Sequence, residues 1–185
     1  LFRSIGIGYD NNGACANPNA SDGIYVDATG TPGPGEYLVT IDGADIDCTP
    51  AGDGIELANA SKVLISNSQI ARSGGNGVWI NLGKDNLVLN NRIGTNAVGV
   101  RITGNGANDS SSATGNKLRQ NRISCPNNCG PVWSAGNTGG VLIENGAYLN
   151  TIGSATPGEE NQILKNTAYG IRIVDSNQNY IGGNF

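Results

Sequence analysis

Asp53, Glu56 and Arg101 are the residues whose types and spacing best suit chemistry in this chain. Two carboxyls held about 5–10 Å apart can serve as acid and base, or as acid and nucleophile, in glycoside hydrolysis. A guanidinium pairs with the carboxylate of an acidic sugar. Asp22, Tyr25, Asp27 and Trp79 would extend such a site as substrate-binding residues, with the indole as a platform for a sugar face. The same seven residues also read as a plain solvated sheet face, on which Glu56, Trp79 and Arg101 are ordinary cross-strand neighbours. Asp45 and Asp47 form another pair of acids on one strand face.

Composition removes other chemistries. The 185 residues contain no His, so a Ser-His-Asp triad, a Cys-His pair and imidazole metal ligation are all excluded. Four Cys at 15, 48, 125 and 129 lack the spacing of a structural zinc site, and no metal centre is expected. A formal charge of −4, from 11 Lys and Arg against 15 Asp and Glu, leaves no basic footprint for nucleic acid. No apolar run is long enough to span a membrane. An even Cys count, scarce Lys and Asn-x-Ser sequons at Asn19, Asn59 and Asn108 point to an extracellular or cell-surface protein. As disulfides, Cys125–Cys129 would pin a short loop and Cys15–Cys48 would tie the first segment to the second coil. Four Cys allow three pairings, and four buried thiols are the alternative.

The candidate residues sit within a repeat. Gly, apolar, any residue, apolar occurs at Gly23, Gly54, Gly77, Gly99, Gly140 and Gly170. A second element follows each copy, as in Lys62 to Ile70, Asn86 to Ile93, Asn116 to Ile123 and Asn161 to Ala168. Both alternate apolar with polar, the period of a half-buried strand. A unit of about 22 residues cannot bury its own apolar face and must stack on copies of itself. The prediction is an all-β parallel solenoid of about seven coils, a single domain over 1–185, with loops inserted at 104–115 and 125–139. Ile55, Leu57, Val78, Ile80, Val100, Ile102, Val141, Ile143, Ile171 and Ile173 should form two inward columns. Tyr25, Glu56, Trp79, Arg101, Leu142 and Arg172 should stack outward. Among the 26 Asn, Asn67, Asn91, Asn121 and Asn166 fall at or next to equivalent positions before a turn. They read as an Asn ladder of stacked amides, or alternatively as a row of sugar-binding amides.

These strands resemble the right-handed parallel β-helix repeat family, the pectin-lyase-like architecture. Asn150-Thr151-Ile152-Gly153 and Asn179-Tyr180-Ile181-Gly182-Gly183 are similar to the Asn-x-Ile-Gly-Gly element of bacterial surface β-helices. The resemblance spans roughly residues 20–185 and implies the fold. It leaves function open among lyases, hydrolases, epimerases, tailspikes, adhesins and structural surface proteins. The Gly-His-Gly and Asp-Pro-His-Glu elements of its hydrolases and epimerases are absent, as is the Arg-x-Pro context of its pectate lyases. That leans the reading away from an enzyme. No cofactor is expected; the polar stretch Asn105 to Asn116 could chelate calcium but lacks the Gly-Gly-x-Gly-x-Asp repeat. The helix that usually plugs the N-terminal end in this family is missing, and both ends carry apolar residues. The function expected is a filament-forming structural solenoid, stacking end to end with its own copies or with further coils of a parent chain, with polysaccharide as a further partner. A carbohydrate-active enzyme for an acidic polysaccharide and a non-catalytic adhesin are the alternatives.

Overall fold

The computed structural model describes residues 2–3, 6–8, 15, 18–124 and 136–185. Among them there is no helix, and every strand pairs in parallel with a strand three places away in sequence. Three sheets result. The first holds seven strands: β1 (Phe2–Arg3), β4 (Val39–Asp42), β7 (Val63–Ser66), β10 (Leu87–Leu89), β13 (Lys117–Arg119), β16 (Thr151–Gly153) and β19 (Tyr180–Gly182). The second holds β2 (Gly6–Ile7), β5 (Asp45–Thr49), β8 (Gln69–Ser73), β11 (Arg92–Gly94), β14 (Arg122–Ile123) and β17 (Gln162–Ile163). The third holds β3 (Ile24–Val26), β6 (Ile55–Ala58), β9 (Asn76–Asn81), β12 (Val98–Thr103), β15 (Gly139–Glu144) and β18 (Tyr169–Val174). Each coil contributes one strand to each sheet, so the chain is a parallel β-helix.

The inward columns follow the alternation of the sequence. Third-sheet residues Val78, Ile80, Val100, Ile102, Val141 and Ile143 are fully buried in register. Ile41, Ile65, Val88, Leu118 and Ile152 add a column from the first sheet, and Ile46, Ile70, Ile93 and Ile123 one from the second. All meet in one core. The last coil departs from the expectation: Ile171 is only partly buried and Ile173 is 42% exposed, because no further coil among the described residues covers them.

The glycine that opens each third-sheet copy is required by space. A Cβ on Gly54 would lie 2.6 Å from the Gly77 carbonyl oxygen, and one on Gly77 2.7 Å from that of Gly99. The next coil therefore closes over each glycine too tightly for any side chain. Gly170, in the last coil, would meet only Ile163, at 3.8 Å.

Asparagine organises all three corners. At the first-to-second corner the Asn121 Oδ1 accepts from the Asn91 N–H at 3.0 Å, and the Asn161 Oδ1 accepts from the Asn121 N–H at 3.0 Å. Each Nδ2 reaches back to a main-chain carbonyl of the coil before, as from Asn121 to Val88 at 2.8 Å. Asn184 continues this stack. Asn86, Asn116, Asn150 and Asn179 repeat the device at the third-to-first corner. Asn96, Asn137 and Asn166 repeat it at the second-to-third corner. The residue before several of these amides turns through a left-handed backbone, as at Asp85 (φ 53°), Asn90 (φ 54°) and Thr95 (φ 62°).

The single ladder expected from Asn67, Asn91, Asn121 and Asn166 is thus divided. Asn91 and Asn121 share a stack, Asn166 belongs to another corner, and Asn67 lies outside, donating to Asp42 and accepting from Asn90. Asn161 aligns with Asn121, whereas the rung after Asn116 is Asn150. The second repeated element is likewise two strands, split by the bend at Asn67-Ser68 or its equivalents. Residues 104–116 link β12 to β13; most of the expected loop 125–139 lies outside the described residues, and its end, Gly139, opens β15.

Candidate functional site on the third sheet

The outward column of the third sheet runs Tyr25, Glu56, Trp79, Arg101, Leu142, Arg172 in direct register. Beside it run Ala58, Asn81, Thr103, Glu144 and Val174. Asp22 and Asp53 stand just before Gly23 and Gly54. The backbone ladder carries Gly23 N–H onto the Asp53 carbonyl at 2.9 Å, which sets the two acids one above the other.

Asp22, Asp53 and Glu56 meet. One carboxylate oxygen from each lies within 4.8 Å of the other two. The Asp22 Oδ1 accepts the Asp53 N–H at 2.7 Å. Asp53 is 6% exposed, and its Oδ1 accepts from the Asn76 side chain at 2.8 Å and from the Asn76 N–H. Glu56 accepts from Asn81 at 3.4 Å. Burial raises the Asp53 carboxyl above its ordinary 3.8; Asn76 opposes this, Asp22 adds to it. Burial also raises Glu56 above 4.5, with Asp22 and Asp53 contributing as like charges. The oxygen set could hold a divalent cation, or share protons as an acid–base pair.

Arg101 and Trp79 stand in the expected outward column, and each already has a partner there. The Arg101 guanidinium lies 5.3 Å from the Trp79 ring centroid, and its Nε donates to the Glu144 carboxylate at 2.7 Å, with a second bond from Nη2. The Trp79 Nε1 donates to Thr103 Oγ1 at 2.9 Å. The charge assigned to an acidic sugar is balanced by Glu144, and one indole face is covered. Thr103 and Glu144 fall on the neighbouring outward column in the sequence as well, but that Arg101 turns onto Glu144 and Trp79 onto Thr103 is decided by packing. Tyr25 and Asp27 are exposed on the rim.

The other candidates are structural. Asp47 is buried and holds Arg72 Nε at 2.6 Å and the Cys48 N–H at 2.8 Å, so the Asp45 and Asp47 pair forms no site. Cys15 and Cys48 are joined as a disulfide with 5.5 Å between Cα atoms. Cys125 and Cys129 lie outside the described residues. In the stretch Asn105 to Asn116, Asn105 and Asp109 bond locally to Ser111, and Asn105 and Asp109 also cap nearby N–H groups.

A family model described as a right-handed beta helix region matches residues 10–185. The chain belongs to the right-handed β-helix family. No curated protein and no solved structure matches it. In this β-helix no helix among the described residues is long and apolar enough to cross a membrane.

The carboxyl cluster gives the β-helix a distinct pH response. A carboxyl raised in the folded state binds its proton more readily there than in the unfolded chain, so stability is lost as pH rises through the raised value. Asp53→Asn keeps the Oδ1 acceptor for Asn76 and removes the charge. It is expected to raise Tm at neutral pH and to lessen the fall in Tm as pH rises above the ordinary carboxyl range. A lower Tm with an unchanged profile, read by thermal melts across that range, would contradict this.

Proposed function

We propose that the chain is an extracellular structural β-solenoid whose last described coil is covered by another parallel coil, either the first coil of a second copy stacked end to end or a further coil of a longer parent chain. The observation that carries this is the open side of the coil β17–β19. Ile173 is 42% and Ile181 37% exposed, whereas Ile143 and Ile152, one rung earlier, are fully buried. Phe185 and Leu164 are also exposed there. An apolar cross-section with free strand groups is covered by another parallel coil, and such a contact propagates because its two halves differ. The Cys15–Cys48 disulfide supports an oxidising compartment. Sedimentation velocity and electron microscopy of the full chain test the reading. Concentration-dependent polymers are expected where the cover is a second copy, lost in Ile173→Asp/Ile181→Asp while circular dichroism is unchanged. A chain that stays monomeric at high concentration overturns stacking between copies and leaves the parent chain.

The Asp22–Asp53–Glu56 cluster favours a second reading, a glycoside hydrolase or lyase acting on an acidic polysaccharide. A carboxyl raised by burial suits the acid, and the short separation suits direct attack by a second, ionised carboxylate better than attack through an intervening water. Release of reducing ends or unsaturated products from polyuronates, abolished in Glu56→Gln, would support it. An inert wild type would sink it.

A further inference from the structure

The asparagine ladders all point one way. In each, the Oδ1 of a rung accepts from the rung before it. Asn179 Oδ1 accepts the Asn150 N–H at 2.9 Å and the Asn150 Nδ2 at 3.0 Å. Asn184 Oδ1 accepts from Asn161 Nδ2 at 2.9 Å, and Asn166 Oδ1 from Asn137 Nδ2 at 3.2 Å. Every rung therefore draws its acceptor from the coil that follows it. The last rung at each corner has none. Among the described residues no group accepts from the N–H of Asn166, Asn179 or Asn184, and the Nδ2 of Asn166 and of Asn179 keeps only its backward bond, to Ile123 and Ala147.

The ladders also start at a definite place. Their first rungs are Asn86, Asn91 and Asn96. One coil earlier the same positions hold Val63, Ser68 and Ser73, and two coils earlier Val39, Ala44 and Thr49. Between β1 and β2 the sequence has Ser4 and Ile5, and no amide. The first coil of a second copy would therefore bring no asparagine to the corner topped by Asn184. It would strip water from that N–H without replacing the hydrogen bond, which is an unfavourable exchange. The main chain has meanwhile entered another turn. Phe185 N–H donates to the Asn161 carbonyl at 2.9 Å, and its carbonyl accepts the Ile163 N–H at 2.7 Å.

We infer that the last coil is a docking surface for a coil with asparagine at all three corners, supplied by a longer parent chain and not by the first coil of a second copy. The inference rests on the proposed covering of that coil and chooses between its two sources. The test lengthens the full chain by one turn, repeating residues 163–184 after Phe185. This continues the register, because Phe185 stands over Gln162. A matched extension carries alanine at its copies of Asn166, Asn179 and Asn184. The asparagine extension should raise the urea midpoint by at least about 1 M over the alanine extension. Hydrogen exchange at the N–H of Asn166, Asn179 and Asn184, read by NMR, should slow at least about tenfold with the asparagine extension only. Equal midpoints or equal exchange in the two extensions would overturn the inference while keeping the covered coil. Polymers of the unextended chain, lost in Ile173→Asp/Ile181→Asp, would make a second copy the cover and overturn it too. No gain from either extension would overturn the covered coil itself, and the inference with it.

Discussion

Ile80→Asp is expected to leave the chain unfolded. Ile80 is fully buried between Leu57 below and Ile102 above, in the middle of the third-sheet column. An aspartate there has no partner among the apolar residues that surround it. It must either stay ionised in an apolar interior or take up a proton and still lack a hydrogen bond. Burying the unpaired carboxyl costs about 4–8 kcal/mol even when protonated, and the lost isoleucine packing costs about 2–5 kcal/mol more, which together match the total stability of about 5–15 kcal/mol of a typical domain. Far-UV circular dichroism should show loss of the β signal at 25 °C. The matched control is Ile173→Asp, three rungs further along the same column, where the position is already open to solvent. That variant should fold normally. Native folding of Ile80→Asp would contradict the inward register.

Asn121→Ala should cost about 3–5 kcal/mol, from several buried polar groups each losing about 1–3 kcal/mol with partial relaxation. Asn121 is fully buried. Its Oδ1 accepts from both the N–H and the Nδ2 of Asn91, and its Nδ2 donates to Val88 and to Asn161. Alanine removes all four bonds at once and leaves a cavity as well. Asn67→Ala is the comparison, because Asn67 lies on the solvent side of the same corner and bonds only exposed partners. Its effect should be about 1–2 kcal/mol, most of it from placing alanine in the left-handed backbone of Asn67 (φ 51°). Urea denaturation of both variants measures the difference, and equal costs would mean that the buried stack is not what holds the corner.

Much of the fold was legible because its register is local. A glycine opens each third-sheet copy, and strand side chains alternate with a period of two. Aligning Gly54, Gly77, Gly99 and Gly140 therefore aligns Glu56, Trp79, Arg101 and Leu142, and the parallel ladder keeps that alignment. The inward column at Val78, Ile80, Val100 and Ile102 follows from the same count. Even the proximity of Asp53 to Glu56 could be read, since both flank one glycine.

Other features depend on what lies between coils, which no stretch of sequence displays. Asn67 and Asn91 look equivalent in sequence, yet a left-handed residue at the bend turns one outward and its neighbour inward. Arg101 finds Glu144 across 43 residues because an insertion loops out and leaves β12 and β15 adjacent. The loop at 31–37 has no periodicity of its own, and its place over Leu87 and Lys117 is set by the bonds between Gly33 and Glu36 and by Leu38 N–H on the Lys62 carbonyl of the next coil. Repeat spacing carries the columns, because stacking repeats the same contact at every rung. Pairs formed once, by a single insertion or a single loop, leave no periodic trace, and the packed coils alone bring them together.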